Sequence, residues 1–215
     1  MGNSKNPTAL LMQRMAAAGK GSGSMATLMQ KYFADNYGKT DLPKRVADFV
    51  IYDQVAVGAT STAAFFQGTP STTRTNFPGG SFIMPASEHA IITGIRFCQG
   101  NNATLTSTQW SYGVYTAAFL NGEVTVTSNG ETVITQLPMT AFMSNQNQNI
   151  TAAAGPAGAP SISGVTNDDA GIFYLIEPIV LLGQTDIKTT VTLKSAASAS
   201  DNLRIELHGV RFIGG

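Results

Sequence analysis

The sequence predicts an all-β domain, a β-sandwich or a closely related barrel, preceded by a short helical arm. Two observations lead to this prediction. Charged residues make up only 12% of the chain, against roughly 25% in typical globular proteins, which disfavours a surface of salt-bridged helices. After residue 45, short apolar stretches alternate with turns rich in Gly and Pro, a pattern that predicts about eight to ten strands. The 215 residues suffice for one such domain with a hydrophobic core.

Residues 1–45 are predicted to form a partly helical arm. Residues 7–18 are typical of a short helix that begins with Pro7 and ends before Gly19. A second helix is predicted to start at Ser24 and to end at Gly38. Because neither helix could bury much apolar surface alone, the arm is expected to lie on a partner surface.

The arm and the body, residues 46–215, carry opposite charges, although the net charge of the chain is zero. Seven basic residues stand in the arm against Asp35 and Asp41, whereas the body has six basic and eleven acidic residues. The basic residues of the arm are Lys5, Arg14, Lys20, Lys31, Lys39, Lys44 and Arg45. An arm with a charge of +5 on a body of −5 favours docking on its own or a neighbouring acidic body over contact with a polyanion.

The body contains a series of predicted strands. They cover residues 49–57, 63–67, 82–84, 90–98, 109–116, 172–176, 179–182 and 187–193. Residues 123–135 predict a hairpin, because β-branched residues alternate on both sides of Asn129-Gly130, the preferred pair for a type I′ turn. The long polar loops at residues 68–80 and 143–164 interrupt the series.

The closing strand, residues 203–213, organises the predicted sheet. Apolar and polar residues alternate from Leu203 to His208, which is typical of a strand with one buried face. Gly209 then shifts the phase, so that Val210 and Phe212 are predicted to follow a bulge or bend.

No catalytic, cofactor-binding or metal-binding residue is expected, and we do not expect an enzyme. His89 and His208 are the only histidines, which excludes a site with three His ligands for zinc. Cys98 is the only cysteine, which excludes an internal disulfide. Because it lies in the apolar run of residues 91–98, it is expected to be a small buried apolar residue. Asp168 and Asp169 could bind calcium, but a solvated turn is the favoured interpretation.

Two further segments contain residues typical of binding sites. Gly38-Lys39-Thr40 imitates the end of a phosphate-binding loop, but Phe33 stands where that motif requires Gly, so the motif is rejected. Arg74 is the only basic residue between Arg45 and Arg96 and lies in a loop of hydroxyl side chains. We expect it to contact another subunit or a ligand carboxylate rather than to be a solvated charge.

The arm, the segments 65–77 and 79–82 that lead into residues 91–97, and the closing strand 203–213 together resemble the capsid proteins of icosahedral viruses, particularly of tailless bacteriophages. The resemblance implies a jelly-roll sandwich behind a basic arm. Some members of that family carry two jelly rolls in one chain. The roughly 170 residues after the arm suffice for one, so a single jelly roll over residues 46–215 is implied.

The leading hypothesis is a viral structural protein, a capsid or vertex subunit that assembles in the host cytoplasm into the virion shell. Its partners would be copies of itself and other virion proteins. The basic arm would contact nucleic acid, an inner membrane or neighbouring acidic subunits. No cofactor or small-molecule substrate is expected.

Two alternatives stay open at this stage. One is a carbohydrate- or receptor-binding module of a surface fibre, with its site in the loops at residues 68–80 or 144–164. The other is a hydrolase on a sandwich scaffold, for which a single carboxylate would be essential.

Overall fold

The structure is a computed structural model that describes residues 45–102, 115–143 and 171–213, together with residues 34, 35, 38, 104, 105, 108 and 110–112. These residues form nine strands with little helix. The strands are β1 (Arg45–Ala56), β2 (Thr62–Phe65), β3 (Glu88–Asn101), β4 (Ser111–Tyr112), β5 (Glu123–Ser128), β6 (Glu131–Pro138), β7 (Ile172–Leu181), β8 (Ile187–Thr192) and β9 (Asp201–Ile213). A helical turn, α1 (Ala117–Leu120), precedes β5, and a 3₁₀ turn (Met139–Phe142) follows β6.

The strands form two antiparallel sheets. In sheet A the order is β1-β9-β3, and both β7 and the short β4 pair with the other side of β3. In sheet B the order is β2-β8-β5-β6. The prediction of an all-β sandwich is therefore confirmed.

The predicted helical arm lies almost entirely outside the described residues. Ala34 and Asp35 are helical. Gly38 has a φ of +63° and donates its N–H to the carbonyl oxygen of Ala34 at 3.2 Å, the geometry with which glycine ends a helix.

The closing strand β9 forms part of a sheet, as its pattern predicts, and lies between β1 and β3 in sheet A. It pairs with β1 from Arg45↔Ile213 to Ala56↔Asn202 and with β3 on its other side. Leu203, Ile205 and Leu207 are fully buried in the core. Each apolar side chain of this size contributes about 1.5–3 kcal/mol to stability when buried. This face of β9 therefore contributes a substantial part of the free energy that stabilises the sandwich.

The core lies between the two sheets and is rich in phenylalanine. Phe65 of β2 meets Phe97 of β3 edge to face, with ring centroids 6.0 Å apart. Phe142 of the 3₁₀ turn contacts Phe97 at 4.8 Å. These contacts join sheet B, sheet A and the connection after β6 into one apolar cluster.

The bulge predicted at Gly209 lies instead on the neighbouring strand. Thr93 of β3 is the extra residue, whereas Gly209 pairs regularly with Phe49 of β1. A side chain at Gly209 would collide with the carbonyl oxygen of Ile91, so close approach of the backbones requires glycine here. Strand alternation therefore places Val210 and Phe212 on the face of sheet A opposite the core.

The predicted hairpin is confirmed. Asn129 and Gly130 connect β5 to β6 with φ values of +51° and +80°, as a type I′ turn requires.

Several other predicted boundaries were wrong. Residues 82–84 do not form a strand: Phe82 has a φ of +55°, and Ile83 makes only an isolated bridge to Asp186. Of residues 109–116, only Ser111–Tyr112 is a described strand. The two strands predicted at 172–176 and 179–182 are a single strand, β7, which contains a bulge.

Candidate functional site

A groove of about 670 Å³ lies between β6, an edge strand of sheet B, and β7 of sheet A. Its apolar lining comes from both strands and includes Ile134, Leu137, Phe173, Leu175 and Ile179. The two sheets thus separate enough at this side of the sandwich to leave a cleft with an apolar floor. Clefts of this size and character are typical binding surfaces.

A wide bulge in β7 shapes one wall of the groove. Ile179 pairs with Ile92 and Tyr174 with Gly94, so residues 175–178 stand opposite Thr93 alone. Pro178, which cannot donate an N–H, lies inside this bulge. The bulge leaves Ile176 90% exposed, an unusual position for an isoleucine within a strand.

The other wall is also irregular. The pairing of β6 with β5 shifts twice, leaving Val133 as one extra residue and Gln136 with a φ of +49°. Val133 is 45% exposed and lines the groove. Bulges of this kind twist an edge strand and prevent simple edge-to-edge pairing of sheets.

The rim of the groove carries negative charge that no basic residue of the body neutralises. All six basic residues of the body form ion pairs with acidic residues of the body. The pairs are Arg74–Asp53, Arg96–Glu206, Arg204–Glu206, Arg211–Glu88, Lys188–Asp186 and Lys194–Glu123. Glu131 and Glu177 line the groove, are exposed, and take part in none of these pairs.

The opposite side of the sandwich is covered by the loop after β2. This loop, residues 66–84, runs along the outer edge of β1. Gln54 donates its N–H to the carbonyl oxygen of Arg74 at 3.2 Å. The hydroxyl of Thr75 donates a hydrogen bond of 2.6 Å to the carbonyl oxygen of Tyr52. The amide of Asn76 accepts the N–H of Tyr52 and donates to the carbonyl oxygen of Val50. The loop thus occupies backbone groups that an edge strand would otherwise expose.

A buried ion pair holds this loop in place. Arg74 donates two hydrogen bonds of 2.8 Å to the carboxylate of Asp53, which is fully buried. Asp53 also accepts the N–H of Phe66 and of Gln54. Burial raises the pKa of Asp53 even though Arg74 and these N–H groups lower it. The pair therefore fixes the position of the loop more than it stabilises the fold.

The expectation that Arg74 contacts another subunit or a ligand was wrong for its guanidinium, which binds a carboxylate of its own chain. The sequence contained no signal for this pairing, because Asp53 lies on a strand 21 positions earlier.

Three aromatic rings complete the loop. Phe66, Phe77 and Phe82 lie with centroids 5.6–5.9 Å apart, and the guanidinium of Arg74 lies 5.5 Å from the ring of Phe82. Phe66 and Phe82 both have a φ of +55°, which is uncommon for a bulky residue. Such strain persists only where the surrounding packing determines the conformation.

A second charge cluster lies on the face of sheet A opposite the core. Glu206, which is almost fully buried, binds the guanidinium of Arg96 with one carboxylate oxygen and that of Arg204 with the other. The Nε2 atom of the His208 imidazole lies 3.4 Å from the same carboxylate. Burial alone would raise the pKa of Glu206, but His208 and the two guanidinium groups outweigh it and lower the pKa to about 2.

Two other residues named in the sequence analysis, His89 and Cys98, have structural roles. His89 accepts the N–H of Gly183 through Nδ1 at 2.7 Å. Cys98 is a free, fully buried thiol, and burial raises its pKa. Within the described part of the chain, no group of three His, Cys, Asp or Glu side chains could hold a metal ion.

Other candidates lie outside the described residues. They include Asp168, Asp169 and, apart from Arg45, the basic residues of the arm. The groove itself was missed because no local pattern marks it. Its single sequence signal is Ile176-Glu177-Pro178, which interrupts the alternation of the predicted strands and coincides with the bulge.

Compared with known proteins, the chain matches no protein-family model, no curated protein and no solved structure. Among the described residues, no helix has the length and apolar character needed to cross a membrane. The function is therefore argued from the strand order, the charges and the two sides of the sandwich.

Proposed function

We propose that the protein is a structural subunit of a virion, a capsid or vertex protein that assembles with copies of itself into a shell. The observation that carries the proposal is the order of strand pairing, which runs from the outside of the chain inward. β1 pairs with β9, β2 with β8, β3 with β7, and β5 with β6. A jelly roll, the single-domain fold that we propose here, is a long antiparallel hairpin wrapped in this way.

The sheet orders support the same proposal. Without the two-residue β4, eight strands are divided into the orders β1-β9-β3-β7 and β2-β8-β5-β6. Each order contains strands that are distant in sequence, as two Greek keys require. Jelly rolls are common in viral capsid proteins, although lectin domains share them, so the surfaces must decide between the two classes.

The surfaces favour a shell subunit over a carbohydrate-binding module. In the loop at residues 68–80, which was the first candidate for a saccharide site, Arg74, Thr75 and Asn76 use their polar groups to bind β1. The opposite side presents an apolar, acidic groove instead of a polar pocket. Such a groove suits a protein partner better than a sugar.

The test is the mass of the full-length chain in solution, measured by light scattering at low and high salt, with a chain lacking residues 1–33 as comparison. We expect large closed assemblies from the full-length chain and smaller species from the shortened chain. Full-length protein that stays monomeric under all conditions, and that binds sugars on a glycan array, would replace the proposal with the binding module.

A further inference from the structure

We propose that the groove between β6 and β7 receives residues 1–33 from a neighbouring copy of the chain. This inference rests on the proposed function as a self-assembling subunit and names the surface through which copies are linked. Three features carry it: the charges, the apolar surfaces, and the position of the groove on the side of the sandwich away from β1.

The charges of the two surfaces are complementary. Residues 1–33 contain Lys5, Arg14, Lys20 and Lys31 and no acidic residue. Every basic residue of the body is already paired within the body. All basic residues outside the body lie in the arm, and four of these seven stand in residues 1–33, so this segment has the charge to match the exposed carboxylates of Glu131 and Glu177 at the groove.

The apolar surfaces are complementary as well. Ile176 and Val133 expose 90% and 45% of their surface at the groove. Residues 1–33 contain two short apolar clusters, one around Leu10 to Met12 and one at Leu28 and Met29. Methionine and leucine side chains adapt readily to an irregular groove, and their burial there would remove exposed apolar surface from water.

The groove lies away from the strand into which the N-terminal segment leads, and the proposed assembly assigns the donor to a neighbouring copy. The N-terminal segment leads into β1, whereas the groove adjoins β7, and β9 and β3 lie between these strands. At about 4.8 Å per strand, β1 and β7 are separated by about 14 Å across sheet A. A donor on one side and an acceptor on the other make a head-to-tail contact, which closes into rings when repeated by rotation.

The experiment is a disulfide crosslink between two populations of full-length chains. One carries Met29→Cys, the other carries Ile176→Cys and a small tag, and the two are mixed before assembly and then oxidised. Native Cys98 is buried, so the introduced thiols are the reactive ones. The exposed Ile176 can be replaced without disturbing the core. Ser61→Cys, an exposed position next to β2, is the matched control.

We expect disulfides between tagged and untagged chains for Ile176→Cys and few for Ser61→Cys. Equal yields at both positions, or no crosslink at residue 176, would overturn the inference. So would a disulfide that forms only within one chain carrying both Met29→Cys and Ile176→Cys, because the segment would then dock on its own body.

A charge test gives a second readout. Glu131→Lys with Glu177→Lys should lower the crosslink yield roughly threefold to tenfold at low salt, since two exposed ion pairs would be reversed. The difference should shrink at high salt. An unchanged yield at low salt would remove the electrostatic part of the inference and with it the case for this segment.

Light scattering separates the two proposals. Large assemblies without the crosslink at residue 176 would reject the groove as the acceptor and leave the shell function standing. A crosslinked small ring would keep the groove as acceptor and reject the shell.

Discussion

The edge strands on the two sides of the sandwich are protected in different ways. On the β1 side, the loop at residues 66–84 covers the edge with hydrogen bonds, the buried Asp53–Arg74 pair and three phenylalanine rings. On the β6/β7 side, both strands are bulged, apolar side chains are exposed, and the acidic residues have no basic partner in the body.

The difference shows how one fold can prevent uncontrolled sheet pairing and still offer a binding surface. The covering loop forms hydrogen bonds with the backbone groups of the edge strand. The β1 side therefore has few free polar groups with which to bind a partner. A bulge in an edge strand disrupts its regular pattern of backbone hydrogen bonds but leaves its side chains exposed. A specific partner can bind these side chains. The covered side should therefore support the stability of the fold, and the open side should not.

The largest loss of stability is expected from Arg74→Ala. Removing the guanidinium leaves the carboxylate of Asp53 buried without its charged partner, which should lower the free energy of unfolding by about 3–5 kcal/mol. Chemical denaturation measures this loss. Lys194→Ala breaks the exposed pair with Glu123 and should change stability by less than roughly 1 kcal/mol. Equal losses in the two variants would mean that the covered side has no special role.

The next effect concerns Glu206 and depends on pH. The pKa of Glu206 is about 2 in the folded chain, against 4.5 for an ordinary Glu, so the unfolded chain binds more protons between these pH values. Stability should therefore be lost as pH falls from about 4.5 to 2. Glu206→Gln should cost on the order of 2–3 kcal/mol at pH 7 and almost nothing near pH 2.

Denaturation curves from pH 7 to pH 2 measure the difference between the two chains. Glu131→Gln, at the exposed rim of the groove, should leave the curves unchanged. A constant difference between Glu206→Gln and the unaltered chain at every pH would contradict the role assigned to this carboxylate.

A smaller effect is expected from Gly79→Ala in the covering loop. A Cβ at Gly79 would collide with the carbonyl oxygen of Ile83, whereas a Cβ at Gly80 would meet no atom within 4 Å. Gly79→Ala should therefore cost about 1–3 kcal/mol, and Gly80→Ala should be nearly neutral. Thermal unfolding of the two variants checks this, and similar midpoints would show that the loop tolerates movement on β1.

The smallest effect on folding is expected at Ile176. Since this side chain is 90% exposed, Ile176→Thr should change the free energy of unfolding by no more than roughly 0.5 kcal/mol. The mass of the assemblies measured by light scattering should nevertheless fall. A large loss of stability would place Ile176 in the fold rather than at an interface.

The sequence was sufficient for features that depend on local pattern. The alternation in residues 203–208 placed the core-facing side of β9, although its other face is buried at Glu206 as well. Asn129-Gly130 placed the hairpin. Both signals come from neighbouring residues. The sandwich class follows from many such strands.

Features that depend on distant residues could not be predicted. Asp53 and Arg74 meet only because the loop folds back on β1, and neither residue is unusual in its own segment. The strand predicted at residues 82–84 failed because packing of Phe82 in the aromatic cluster overrides its strand preference. The groove depends on bulges in two strands that pair with different partners.

The position of β9 has a consequence for synthesis. This strand lies between β1 and β3, although 99 residues separate it from β3 and 144 from β1 in the sequence. Sheet A therefore cannot close before residues 201–213 leave the ribosome, and the core remains exposed until then. If copies of this chain build a shell, chains that stop before residue 201 lack the strand that unites the sheet and are excluded from the shell.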